Sequence, residues 1–285
     1  MSKITIMTDS TAYIPDDLVT RYDISVVPQV LIWGDETFRD GVDIQPDAFY
    51  QRLKTARVMP STSQVTPAIL KEAFEKELDK GNQVLGIFIS SKLSGTCQSA
   101  TQALDMIPGS QDRVHFVDSD TTAMAMGFHV LAAARAAEAG ATLDECRKVA
   151  EEARKHSGVL FIVDTLEFLH RGGRIGGAAR WVGTALNFKP ILELKDGRIE
   201  SLEKVRTKGK AIARLMELLT ERLGSKSNIR IAALHANAEQ EARNLLDLVT
   251  RQFKPVETVF SAVSPVVGTH AGPGTLGIAY MAGGD

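Results

Sequence analysis

Short apolar runs of strand length, each closed by a polar loop and followed by helical periodicity, recur through the first 155 or so residues. That alternation constrains the fold most, because strands interleaved with helices argue for an open, mainly parallel α/β sheet. A first strand covers Ile4 to Met7 and ends in Asp9-Ser10-Thr11, with a helix beginning near Pro15-Asp16-Asp17. The apolar run Ile24 to Ile32 reads as a second buried strand. Ile69, Leu70, Ala73, Phe74 and Leu78 recur at helical spacing, with Thr66 as N-cap and Pro67 at the first helical position. Val84 to Ile89 is another strand, followed by the loop Ser90 to Thr96 and a helix over Gln98 to Met106. Val114 to Val117 ends in a further polar loop, Asp118 to Thr122, before an Ala-rich helix from Ala123 to Ala139 broken by Gly140. Thr142 with Glu145 forms a capping box for the next helix. In such sheets the loops at the carboxyl ends of strands are where ligands bind.

The second half has a different pattern. A strand at Val159 to Val163 precedes His170-Arg171-Gly172-Gly173-Arg174-Ile175-Gly176-Gly177. Ile191 to Lys195 and Arg198 to Val205 flank Asp196-Gly197, a strong signal for a two-residue hairpin turn between antiparallel strands. Ile212, Leu215, Met216, Leu219 and Leu223 make one helix face, Ile229 to Leu234 a strand, and Ala242, Leu245, Leu246 and Val249 another helix face. Helices on one side of a partly antiparallel sheet suit a two-layer α+β domain. The expected architecture is therefore α/β in two domains. Residues 1–157 form the parallel α/β domain, and residues 158–285 form an α+β domain with the Arg-Gly segment, the hairpin and a His-Ala-Gly-Pro-Gly loop. The length of 285 residues agrees with two domains of about 150 each, and two domains create a cleft.

Composition narrows the function. Hydrophobic residues at 44% and charged residues at 24% exclude a disordered chain, and a net charge of -2 gives no bulk attraction to nucleic acid or to an anionic membrane. Cys97 and Cys146 lie far apart and outside any CxxC pattern, which predicts reduced thiols and no structural zinc. Without a signal-like N-terminal stretch or a run of about 18 apolar residues, the expected location is the cytoplasm.

Four polar clusters adjoin expected strand ends or helix starts: Ser61 to Gln64, Ser90 to Thr96, Arg171 to Arg174, and Gly268 to Gly274. Leu93-Ser94-Gly95-Thr96 sets small hydroxyls at a helix start after a buried strand, where free N–H groups suit a carboxylate or phosphate. The alternative is that Ser94 only caps the helix, and Ser61 to Gln64 has a similar alternative as a polar turn. His270, between Gly268, Gly272 and Gly274, can donate to an anion in either protonation state, or can be a structural histidine in a glycine-rich turn. Arg171 and Arg174 are either a solvated helix end closed by Gly172 and Gly173 or a patch for phosphate or an acidic partner. His115, His129, His156 and His235 lack metal-ligand spacing, and Asp9 and Asp118 are read as loop-holding residues. A hydrolase could be assembled from Ser94, His270 and Asp118 or Asp9, but no GxSxG elbow is present. Walker A and GxGxxG patterns are also absent.

Taken together, these clusters resemble the DegV family, fatty-acid-binding proteins that in many bacteria are the lipid-presenting subunit of fatty acid kinase. The matching stretches, in order, are residues 4–11, Thr62-Ser63-Gln64, Ser90 to Thr96, residues 166–175, Glu203-Lys204-Val205-Arg206-Thr207, and His270-Ala271-Gly272-Pro273-Gly274. Val65 stands where the family's Thr-Ser-Gln motif usually continues with Pro. The resemblance implies a non-catalytic protein with no cofactor or metal, holding one long-chain fatty acid between its domains. It implies that Thr62, Ser94 and His270 bind the carboxylate, with Ser63, Gly95, Thr96 and Thr269 as secondary candidates. It also implies an ATP-binding fatty acid kinase subunit as partner, for which Arg171, Arg174 and Arg206 are the docking candidates. Contact with a membrane would be transient, during lipid exchange.

Overall fold

The computed structural model describes residues 3–183 and 187–283. In chain order the first half runs β1 (Ile4–Asp9), α1 (Asp16–Arg21), β2 (Ser25–Val27), β3 (Val30–Trp33), β4 (Glu36–Arg39), α2 (Pro46–Leu53), β5 (Ser61–Ser63), α3 (Pro67–Asp79), β6 (Gln83–Phe88), α4 (Thr96–Asp105), β7 (Val114–Asp118), α5 (Ala123–Glu138) and α6 (Leu143–Lys155). The second half runs β8 (Ser157–Ile162), α7 (Glu167–Arg171), β9 (Lys189–Lys195), β10 (Arg198–Val205), α8 (Lys208–Leu223), β11 (Arg230–His235), α9 (Glu239–Phe253), β12 (Glu257–Ala262), α10 (Pro265–Ala271) and β13 (Leu276–Met281).

Strands β2-β1-β6-β7 form an all-parallel sheet in that order. Side chains alternate across it, as the strand period of two requires. Met7, Val84 and Phe88 point into a cluster with Leu70 and Phe74 of α3 and Ala100 and Ala103 of α4. Ile6, Leu85 and Ile87 point the other way, toward Met124 and Phe128 of α5 and Ala150 of α6. Local signals place the helix ends: Thr66 accepts from Ile69 N–H at 3.3 Å, and the Thr142–Glu145 capping box is closed on both sides. Val65, where the family pattern expects Pro, is fully buried in the first of these clusters.

The expected single strand over Ile24 to Ile32 is two strands in different sheets. Pro28 has no N–H, and the Gln29 N–H donates to Ser10 Oγ at 3.1 Å, so neither residue continues the ladder with β1. β3 instead joins a small antiparallel sheet, β4-β3-β5, which carries Thr62 opposite Leu31. Ser61 to Ser63, expected as a polar turn in one reading, is thus a short strand.

The second large sheet has the order β10-β9-β8-β13-β11-β12, with only β11 and β12 parallel. Its hairpin turns on Asp196 and Gly197 at φ 49° and 77°, the two left-handed residues of a type I′ turn. One face, through Leu160, Ile162, Ile231 and Ile278, packs on α8 and α9. The opposite face, through Val159, Phe161, Leu234 and Ala279, packs into the same cluster as Met124, Phe128 and Leu131 of α5. Helix α5 touches both large sheets and is buried on every side from Ala123 to Leu131.

Candidate functional site

A cavity of about 240 Å³ lies against the inner face of the second sheet. Val159, Phe161, Leu194, Ile199 and Leu234 give it an apolar wall. Its polar end gathers Thr62, Ser63 and Gln64 around β5, Ser94 from the β6–α4 loop, and His270 with Arg174 from the second half. The hydroxyls and the imidazole expected from sequence therefore meet, although 208 residues separate Thr62 from His270.

His270 is held at one ring nitrogen only. Its Nε2 is 2.8 Å from Thr62 Oγ1, while its Nδ1 is buried without a hydrogen-bond partner. It lies in the last turn of α10, whereas sequence placed it in a glycine-rich loop; Pro265 at the first position and Ser264 as N-cap were the available signals. The helix is fixed at its start by Asp40, whose Oδ1 accepts from Val266 N–H at 3.2 Å and whose Oδ2 accepts from Ser10 Oγ at 2.6 Å. Burial pushes the Asp40 carboxyl up to about 6.

Burial, and secondarily the Arg174 guanidinium, push the His270 pKa down to about 4. The imidazole is neutral at pH 7. Between about pH 4 and the ordinary value of 6.5 the unfolded chain binds more protons at this residue than the folded one. Its contribution to stability is accordingly present above about pH 6.5 and lost as pH falls toward 4. His270→Gln should flatten the acid side of the Tm-versus-pH curve over that interval, and an unchanged slope would contradict the assignment.

Ser94 is not the helix cap. Gly95 occupies that position without a side-chain cap, and Ser94 Oγ lies 2.9 Å from Thr96 Oγ1. Thr96 is fully buried behind Ser94 and also accepts from Gln29 Nε2 at 2.9 Å. Of the other secondary candidates, Ser63 lines the cavity, whereas Thr269 turns its hydroxyl back to Pro265 O at 2.9 Å. Gly95 backs the Gln64 amide. The arginines separate: Arg174 lies at the mouth and donates to Leu93 O and Gly172 O at 3.1 and 2.8 Å, so it ties the Arg-Gly segment to the Ser94 loop. Arg171 pairs with Glu167 on the exposed side of α7, and Arg206 is exposed just after β10. Asp9 and Asp118 hold loops: Asp9 accepts from Thr11 and Ile89 N–H, and Asp118 from Ser91 and Asp120 N–H. Among the described residues no group of three or more His, Cys, Asp or Glu side chains could hold a metal ion. No helix among them is long and apolar enough to cross a membrane.

The family model "Uncharacterised protein, DegV family" matches residues 3–283. The chain belongs to the DegV family. It is 38% identical over 281 residues to a DegV domain-containing protein of Halalkalibacterium halodurans, covering 98% of this chain and 99% of that one. It is 36% identical over 278 residues to protein DegV of Bacillus subtilis, covering 97% and 98%. In structure it is similar to a fatty acid binding DegV family protein from Thermus thermophilus, with TM-score 0.92, 35% identity, and 98% and 99% of the two chains covered. The crystal structure of Bacillus subtilis DegV, a fatty acid binding protein, matches with TM-score 0.90 and 34% identity over 99% and 100% of the chains. The two-domain α/β architecture is that of the DegV family.

Proposed function

We propose that this chain binds one long-chain fatty acid with its tail along the second sheet and its carboxylate at Thr62, Ser94 and His270. The observation that carries this reading is a cluster of hydroxyls and a neutral imidazole in a cavity with an apolar wall along the second sheet. The energetics divide accordingly. Burying about 14 methylenes at roughly 0.8 kcal/mol each is worth about 11 kcal/mol before the costs of association, so the tail supplies the affinity. The head group is costly to desolvate unless hydrogen-bonded, and neutral donors satisfy it without locking it in an ion pair.

The protein then acts without catalysis of its own, as a cytoplasmic carrier that presents the carboxylate to an ATP-binding kinase subunit for conversion to acyl phosphate. Exposed Arg171 and Arg206, with Arg174 at the mouth, form the docking surface for that partner. Membrane contact is confined to lipid exchange, and nucleic acid plays no part. The serine hydrolase alternative has no geometric support, because His270 Nε2 faces Thr62 Oγ1 and its Nδ1 meets no carboxylate.

Native mass spectrometry of the purified protein should show a non-covalent fatty acid that organic solvent releases. Ser94→Ala and His270→Ala should each lower lipid retention at unchanged far-UV circular dichroism. Full lipid content and full kinase-supported turnover in both variants would sink the carboxylate assignment.

A further inference from the structure

Gln29 occupies the break between β2 and β3, is 2% exposed, and lines the cavity itself while also bonding to Thr96 behind Ser94. Its backbone N–H donates to Ser10 Oγ, and its Nε2 donates to Thr96 Oγ1 at 2.9 Å. Thr96 is fully buried, and its hydroxyl has one further neighbour, Ser94 Oγ, at 2.9 Å.

Counting protons along this chain gives it a direction. An amide NH₂ can only donate, so Thr96 Oγ1 accepts from Gln29 and has its own proton left to place. Ser94 Oγ is the acceptor within reach, and accepting that proton frees the Ser94 O–H for the cavity. Each bond in such a series also polarises the next.

We propose that Gln29 is a positioning residue that, through Thr96, commits the Ser94 hydroxyl to donate into the cavity. The site is thereby selective for a ligand head that accepts, a carboxylate, over one that must itself place a proton, such as the primary alcohol of the same chain length. The proposal rests on the fatty acid reading above and adds to it a residue and a head-group specificity.

The test measures binding of hexadecanoic acid and of hexadecan-1-ol to the delipidated full chain at pH 8. In the wild type the acid should bind tighter than the alcohol. Gln29→Met, which keeps the bulk and removes the donor, should reduce the acid-to-alcohol affinity ratio about tenfold. Thr96→Val should reduce it similarly, and Thr96→Ser, which restores a hydroxyl, should keep the wild-type ratio. Parallel loss of both affinities in Gln29→Met and Thr96→Val, or an unchanged ratio, would overturn the relay while leaving the fatty acid site intact. Failure of the wild type to bind hexadecanoic acid would overturn the site itself and the relay with it. Thr96→Val and Thr96→Ser carry the test if Gln29→Met does not fold.

Discussion

Phe128→Ala should lower the free energy of unfolding by about 3–5 kcal/mol. Phe128 is fully buried on α5, in the cluster that joins the parallel sheet to the inner face of the mixed one. The ring is fully enclosed by side chains of both sheets' shared cluster, so both the transfer and the cavity costs apply. Because α5 packs on both sheets, the loss should not be confined to one half. Trp33 in the small sheet and Trp181 after the Arg-Gly segment are the two tryptophans, one in each half. Single-tryptophan versions should therefore report one coincident urea transition, shifted to lower midpoint by Phe128→Ala at unchanged m-value. Two separated transitions, with only one displaced, would refute the shared core.

Gly172→Ala should abolish most lipid retention while leaving the backbone unstrained. Gly172 has φ −76°, which alanine adopts freely, but a Cβ there would sit 2.0 Å from His270 Nδ1 and 2.8 Å from the ring's Cε1. The ring has no slack, because its far side is held by Thr62 at 2.8 Å. It must rotate away, and the bond to Thr62 breaks. We expect a loss of fatty acid affinity of at least tenfold. The neighbouring Gly173 supplies the control: its φ is +69° and no atom lies within 4 Å of a Cβ built there. Gly173→Ala should cost about 1–2 kcal/mol of stability through its left-handed backbone yet retain lipid. Equal retention in the two variants would show that the contact between Gly172 and His270 is irrelevant to binding.

The parts of this molecule legible in sequence were those whose signals are local. The Asp196-Gly197 turn, the Thr66-Pro67 helix start and the Thr142–Glu145 box are each set by residues within a few positions, and each formed where expected. The polar clusters were legible for a similar reason, since Ser94 follows a buried strand directly. What was not legible depended on long-range partners. The run Ile24 to Ile32 is mostly apolar, broken only by Ser25 and Gln29, so hydrophobicity could not show that its halves join different sheets. Gln29 carries no motif, and its partner Thr96 lies 67 residues away. The strand Ser61–Ser63 lacks an apolar alternation because its neighbour β3 supplies the burial. The Ala-rich α5 was readable as a helix, but alanine on every side does not say that two sheets enclose it.

Strand β13 follows every other strand of the mixed sheet in the chain, yet it lies between β8 and β11 in the interior of that sheet. During synthesis from the N-terminus, β10-β9-β8 and β11-β12 remain two separate pieces until residues 276–281 leave the ribosome. The face of α5 that β13 covers stays open for the same interval. Biosynthesis thus delivers this central strand after both of the pieces it joins, and until it arrives the apolar inner face of the sheet stays uncovered and open to aggregation.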